Sequence, residues 1–307
     1  MTQKKTRHQV NQEIYQRVTD TIIERMEDGK IDWLKPFASS NRAPLNVLTG
    51  NEYKGINRLQ LSLLGDSAYF ATYKQWQQLG AQVQRGETAI PCVKYGESII
   101  EKENKDTGKK ETFVLPYLKT FSVFSINQVS APDHIIERCE GLEPKPDQTK
   151  AIKEADTYIE RLGVPIRHQA GGRAYYSDAT NMVTMPPRNE FIDNAQGNAT
   201  QHYYSTLFHE ITHWTGSDLR CGRKFGKRFG DADYAFEELV AELGAAFHCQ
   251  ARGIDKVVRD DHVAYLQSWI KACRKHPDAI FKAAALAEAS LNYCDGLQTA
   301  EETPAAA

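Results

Sequence analysis

Two histidines and a glutamate stand together in His209-Glu210-Ile211-Thr212-His213, and their spacing suits metal chemistry. Read as a helix, a separation of four residues puts His209 and His213 one turn apart on the same side. Two imidazoles so placed can share one tetrahedral Zn²⁺ at ~2.0–2.1 Å. Leu207, Ile211 and Trp214 recur at i, i+4 and i+7 and form an apolar stripe on roughly the opposite side, an anchor for the helix. Glu210 lies one residue round from His209, so its carboxylate can reach a metal-bound water rather than the metal. That is the general-base position of a zinc peptidase.

Two histidines leave such a site incomplete, because a third protein ligand and an open position are needed. A third His six residues after His213 is one solution; Gly216 fits that pattern, but position 219 is Leu. The other solution is a Glu on the next helix, and Glu237-Glu238-Leu239-Val240-Ala241-Glu242 supplies candidates. Glu238 and Glu242 are four apart and share a face, with Leu239 and Leu243 on the adjacent apolar side. We assign Glu238 as the ligand and Glu242 as the acceptor of the free N–H of a metal-bound His. Glu237 and Glu242 stay open as alternative ligands. Two carboxylates four apart on a buried helix repel each other, an objection that a nearby dication removes. Tyr234, His262 and Tyr265 are candidates to stabilise an oxyanion, and nothing in the sequence selects one.

The elements that must hold this set are legible in outline. Val164–His168, Ala174–Tyr176 and Met182–Met185 read as strands before the histidine helix, the edge strand a peptidase of the zincin type uses to hold an extended peptide. A helix is expected over 149–162 and a long one from Tyr234 to Gly253. Further upstream, Ile14, Val18, Ile22 and Met26 sit four apart and predict an amphipathic helix over 11–28. Leu59, Leu61, Leu63 and Leu64 mark a short helix, and Thr72 to Gly80 another, with a Thr cap and a Gly stop. Ala89–Tyr95, Phe113–Tyr117 and Thr120–Ile126 read as strands, with Glu101 to Lys110 a solvated hairpin tip. Proline-rich residues 131–148 lose periodicity and read as a linker. The expected fold is therefore α+β in two domains, 1–130 and 149–300, with a disordered tail over 301–307.

The chain has 307 residues, 41% hydrophobic and 25% charged, an ordinary soluble composition. Its net charge of −2 does not mark the whole molecule as a nucleic-acid binder. The halves differ: residues 1–130 hold 18 Lys and Arg against 14 Asp and Glu, and the remainder 20 against 26. Six cysteines without a C-x-x-C pair signal neither a zinc ribbon nor a disulfide scaffold. The polar N-terminus and the lack of a long apolar run predict a cytoplasmic protein without membrane contact.

Residues 30–95 interleave Trp33, Phe37, Tyr53, Tyr69, Phe70, Tyr73, Trp76 and Tyr95 with Lys35, Arg42, Lys54, Arg58, Lys74, Arg85 and Lys94. Single-stranded nucleic acid is bound by such a mixture, aromatic faces stacking on bases and cations following phosphates. Asn57, between Lys54 and Arg58, joins the candidate DNA-binding set. A small α+β core with aromatics inside and lysines outside has the same composition.

Taken together, the chain resembles the ArdC-type antirestriction proteins of conjugative plasmids, whose N-terminal domain also fronts some plasmid primases. The resemblance rests on Pro44-Leu45-Asn46 to Thr49-Gly50, Tyr53-Lys54-Gly55-Ile56-Asn57, Tyr73-Lys74-Gln75-Trp76, Arg85-Gly86-Glu87 and Val123 to Val129 in the first half. In the second half it rests on Thr206 to Gly216 and Tyr234 to Gly244. It implies a single-stranded-DNA-binding domain joined to a zincin-like metallopeptidase domain, and a role protecting incoming plasmid DNA from host restriction. The family's metal motif maps onto His209, Glu210, His213 and Glu238. Zn²⁺ is the expected cofactor, with another divalent transition metal as the alternative, and a host restriction protein is a candidate substrate. The rival expectation is a non-catalytic binder of DNA or a partner whose metal is structural. A primase-type fragment finds no acidic triad to support it.

Overall fold

A computed structural model describes residues 6–29, 43–103, 110–141, 148–171, 173–194, 197–224, 232–254 and 263–299. The candidate DNA contacts Trp33, Lys35, Phe37 and Arg42, the hairpin tip at 104–109, His262 and the tail at 301–307 lie outside these residues, as does the Tyr265 side chain.

The first half is built on a four-stranded sheet in the order β1 (Leu45–Asn46), β2 (Tyr69–Ala71), β5 (Lys110–Ser125), β4 (Ile90–Glu103). β1 runs parallel to β2, and the other pairings are antiparallel. The two strands expected at Phe113–Tyr117 and Thr120–Ile126 are one strand, β5. Pro116 does not break it, because at that height β5 has β4 as its ladder partner (Glu97 opposite Pro116), whereas β2 pairs only with Phe124 and Ser125. A residue without an N–H is tolerated where one side of the strand carries no ladder. β3 (Gln82–Val83) and β6 (Val129–Ser130) form a separate short pair.

Helices α1 (Arg7–Gly29), α2 (Ile56–Leu64) and α3 (Tyr73–Gln78) accompany this sheet. Thr72 caps α3 in a reciprocal box with Gln75, and Gly80 closes it at φ 75°. The predicted linker contains a helix, α4 (Asp133–Gly141), and residues 142–147 lie outside the described set. The second half opens with α5 (Gln148–Leu162) and a three-stranded sheet, β7 (Ile166–His168), β9 (Met182–Met185), β8 (Tyr175–Ser177) in that order. β8 is an antiparallel edge strand. Four helices follow: α6 (Ala199–Thr215), α7 (Ala232–Ala251), α8 (Val263–Lys275) and α9 (Ala279–Thr299).

The helices do not respect the sequence division. Ile14, Val18, Ile22 and Met26 of α1 and Leu59 and Leu63 of α2 share one core with Leu239 and Phe247 of α7, Trp269 of α8 and Ile280 and Leu291 of α9. α6 is therefore not the one-sided surface helix its stripe suggests. Tyr204, Leu207, Phe208 and Ile211 pack with α5 and with Val183 and Met185 of β9, while Ala245 and Cys249 of α7 close the cluster. A helix covered on nearly every side must satisfy its polar side chains internally. No helix among the described residues is long and apolar enough to cross a membrane, and none of the six cysteines is in a disulfide.

Candidate metal centre

Asn198 starts α6 with a capping box: its side chain accepts from the Gln201 N–H at 2.9 Å, and Gln201 reciprocates on the Asn198 N–H at 2.9 Å. The box fixes the helical phase that delivers His209, Glu210 and His213. At the other end Gly216 donates to the His213 carbonyl at 2.7 Å. α7 comes close because position 244 is Gly; a Cβ there would lie 2.4 Å from Thr212 Cγ2 and 2.5 Å from its Oγ1. This approach brings the glutamates of α7 to the histidines of α6.

The convergence is tight. His209 Nε2 and His213 Nε2 are 3.1 Å apart. Glu238 faces both, with Oε2 3.4 Å from His209 Nε2 and Oε1 3.6 Å from His213 Nε2. One ligand atom from each of these three residues lies within 4.8 Å of the others. The opposite ring nitrogens also meet carboxylates: His213 Nδ1 lies 3.2 Å from Glu237 Oε1 and His209 Nδ1 3.6 Å from Glu242 Oε2. A neutral imidazole whose Nδ1–H donates to a carboxylate presents a bare lone pair at Nε2. The two Nε2 atoms, 3.1 Å apart with Glu238 facing both, are spaced as two ligand atoms of one cation would be.

Charge argues the same way. Glu210, Glu237, Glu238 and Glu242 are all buried around the two rings. Arg223 is the buried guanidinium that meets this group, donating to both oxygens of Glu237 at 2.9–3.2 Å. Burial opposes charging of His209, but Glu238 and Glu242 overcome it and push its pKa up to about 9. Burial likewise opposes ionisation of Glu237, yet His213 and Arg223 hold its carboxyl below the usual range. A dication compensates this excess of carboxylate.

Glu238 faces both Nε2 atoms, and Glu242 lies on the Nδ1 side of His209. The sequence reading missed the pairing of Glu237 with His213 and the whole contribution of Arg223. Adjacent glutamates on a helix point about 100° apart, so Glu237 beside a ligand could have been read as a second contact. Arg223 belongs to no periodic pattern and carries no such signal. Tyr234, one turn before Glu238, is half-buried.

The candidate DNA surface fares differently. Trp76 is fully buried, with its indole N–H on the Phe124 carbonyl at 3.0 Å, so it offers no face for stacking. Arg58 is 1% exposed and is held by the Tyr53 carbonyl, Glu52 and Glu288. Tyr53, Tyr69 and Phe70 are core residues, and burial pushes the Tyr53 phenol up to about 12. Asn57 brackets Val93 of β4, donating to its carbonyl and accepting from its N–H, both at 2.8 Å, like a neighbouring strand. These residues hold the fold together, which corrects the expectation that they contact DNA. Lys54, Tyr73, Lys74, Arg85, Lys94 and Tyr95 remain exposed. Tyr73 and Arg85 border an open cleft of about 920 Å³ with Gln82, Val83, Gln84, Glu87, Phe124 and Ser130.

A helix with paired histidines, a glutamate from the following helix and a small sheet with an antiparallel edge fit a zincin-like metallopeptidase domain, whose family model matches residues 153–286. The model for the N-terminal domain of anti-restriction factor ArdC matches residues 12–124. The chain belongs to the ArdC antirestriction family. The metal-free crystal structure of the antirestriction protein ArdC from plasmid R388 superposes with a TM-score of 0.71 at 34% identity, covering 92% of this chain and 97% of that one. The Mn(II)-bound structure of the same protein gives 0.72 at 34% identity, over 93% and 98%. With the donor set above, that relative indicates a divalent metal here. A DNA primase TraC of Escherichia coli is 34% identical over 310 residues, 95% of this chain but 20% of the primase. The chain thus spans about a fifth of that relative. An uncharacterized protein, y4eC, of Sinorhizobium fredii (strain NBRC 101917 / NGR234) is 31% identical over 300 residues, 94% of this chain and 93% of y4eC.

Proposed function

We propose that the chain is a zinc-dependent peptidase joined to a single-stranded-DNA-binding surface, and that it protects incoming plasmid DNA from host restriction. The observation that carries the reading is the convergence of His209 Nε2, His213 Nε2 and Glu238 beside Glu210. These three residues would hold the metal. Zn²⁺ bound there supplies Lewis acidity, enough to bring the pKa of water to about 7. Glu237 accepts the Nδ1–H of His213 and Glu242 lies 3.6 Å from Nδ1 of His209, an orientation in which each ring presents its Nε2. Glu210 takes the proton of a water attacking a peptide carbonyl and returns it to the leaving amine nitrogen. Its burial keeps bulk water from competing for that proton. β8, an antiparallel edge strand, is the element along which an extended substrate would lie.

On the first half, Tyr73 is 42% exposed and borders the cleft with Arg85, and Lys74 follows it on α3. A ring for a base and cations for phosphates suit single-stranded DNA. Lys54, Lys94 and Tyr95 extend the exposed set. A peptidase carried on DNA would act on restriction proteins where they attack it.

Near-complete burial of His209 and Glu210, at 2% and 3% exposure, favours a second reading in which the metal is structural. The test is plasmid protection in restricting cells. If hydrolysis is the mechanism, Glu210→Ala loses protection while retaining metal; if Glu210→Ala protects as well as the wild type, the structural reading stands.

A further inference from the structure

Past Gly216, the chain folds back over the C-terminal end of α6. Cys221 N–H donates to the Thr215 carbonyl at 2.9 Å, Arg223 N–H to Gly216 at 2.7 Å and Gly222 N–H to Ser217 at 3.0 Å. Gly222 takes a left-handed φ of 61° to make the return. These bonds satisfy carbonyls that a helix end leaves orphaned. They also deliver the Arg223 side chain into the protein, where it is 6% exposed.

Its guanidinium serves two tasks. Nη2 donates to the Thr212 carbonyl and Nη1 to Thr215 Oγ1 at 2.9 Å, placing a cation at the negative end of α6. Nε and Nη2 together grip Glu237, with Nε 3.0 Å from Oε2 and Nη2 2.9 Å from Oε1. Glu237 Oε1 in turn receives His213 Nδ1–H at 3.2 Å. One arginine therefore ties the helix that carries both histidines to the carboxylate that sets the tautomer and rotation of one of them.

We propose that Arg223 is a positioning residue of the metal centre: through Glu237 it holds His213 with Nε2 bare and aimed at the site. The inference rests on the metal-centre reading above and adds a residue with no ligand atom of its own. A planar fork with several fixed donors does this; an ammonium on a flexible stem cannot grip both oxygens and the helix end together. Outer hydrogen-bond partners of metal-bound histidines commonly shift affinity by about ten- to a hundredfold.

The experiment is a Zn²⁺ affinity measurement, by competition with a chromogenic chelator, on the full chain as wild type, Arg223→Gln, Arg223→Lys and Glu237→Gln. Co²⁺ absorption spectra of the same proteins report the geometry at the metal. Both Gln variants should bind Zn²⁺ about ten- to a hundredfold more weakly, with altered Co²⁺ bands and native circular dichroism. Arg223→Lys should recover part of the loss, and the double Gln variant should be no weaker than the worse single one. If Arg223→Gln fails to fold, Glu237→Gln decides, since it keeps the size and an acceptor oxygen. Folded variants with wild-type affinity and wild-type Co²⁺ bands would overturn the proposal while leaving the metal centre intact. A wild type that retains no Zn²⁺ would overturn both.

Discussion

The two halves of the molecule draw on the same kinds of residue and use them differently. In the second half, residues chosen for their spacing along helices meet in space: His209, His213, Glu238 and Glu242. In the first half, residues chosen for composition divide into a core and a surface, with Trp76 and Arg58 buried and Tyr73 and Arg85 exposed. A four-residue interval on a helix is a geometric statement, because the backbone fixes which side chains lie together. A mixture of aromatic and basic residues over sixty positions is not. Aromatic rings serve a core as readily as a base, and an arginine can be buried when carboxylates receive it.

The sharpest way to break this contrast is to remove a ligand. Glu238→Ala or His209→Ala should abolish metal retention in equilibrium dialysis against metal-free buffer, and retention by either variant would show that the convergence is incidental. The next effect lies in the other half. Trp76→Ala should cost about 3–5 kcal/mol of unfolding free energy, as for a buried Trp, read by denaturant titration. Tyr73→Ala should leave stability within about 0.5 kcal/mol yet weaken single-stranded DNA binding by about 1–3 kcal/mol. Equal effects from the two would erase the distinction between core and surface aromatics.

Gly244→Ala should cost about 1–3 kcal/mol by overpacking against Thr212 and weaken metal binding by moving α7 off α6. Adding Thr212→Ala, which removes the crowding atoms, should restore part of both. A smaller effect is expected at His248, whose ring stacks on Phe208 of α6 at 5.2 Å. Burial, with Arg252 and Arg58 nearby, pushes its pKa well below 6.5. The folded state then binds fewer protons than the unfolded state. The stability this neutral ring confers is present above 6.5 and falls as pH drops below that value. Between pH 7.5 and 5.5 the wild type should lose more thermal stability than His248→Phe, which cannot protonate; an equal loss would assign the acid sensitivity elsewhere.

How much was legible follows from the same physics. The strands before α6, the long α7 and the Thr72 cap all leave local patterns, and each appears close to its expected place. What sequence could not supply was whatever depends on contacts between distant segments. The burial of α1 against α8 and α9 joins residues some 250 positions apart, as in the pairing of Arg274 with Glu27. Asn57 acting as a strand partner for β4, and Arg223 reaching Glu237, likewise depend on tertiary placement with no periodic trace. The helix inside the expected linker, α4, was hidden by the prolines around it.

If the convergent set hydrolyses protein, cleavage leaves new N-termini. The most direct measurement compares newly formed protein N-termini in restricting cells that receive the plasmid with wild type or with Glu210→Ala, both confirmed to carry metal. Hydrolysis should give new N-termini within restriction proteins for the wild type alone, together with loss of protection in Glu210→Ala. Indistinguishable N-termini with protection intact in Glu210→Ala would contradict it.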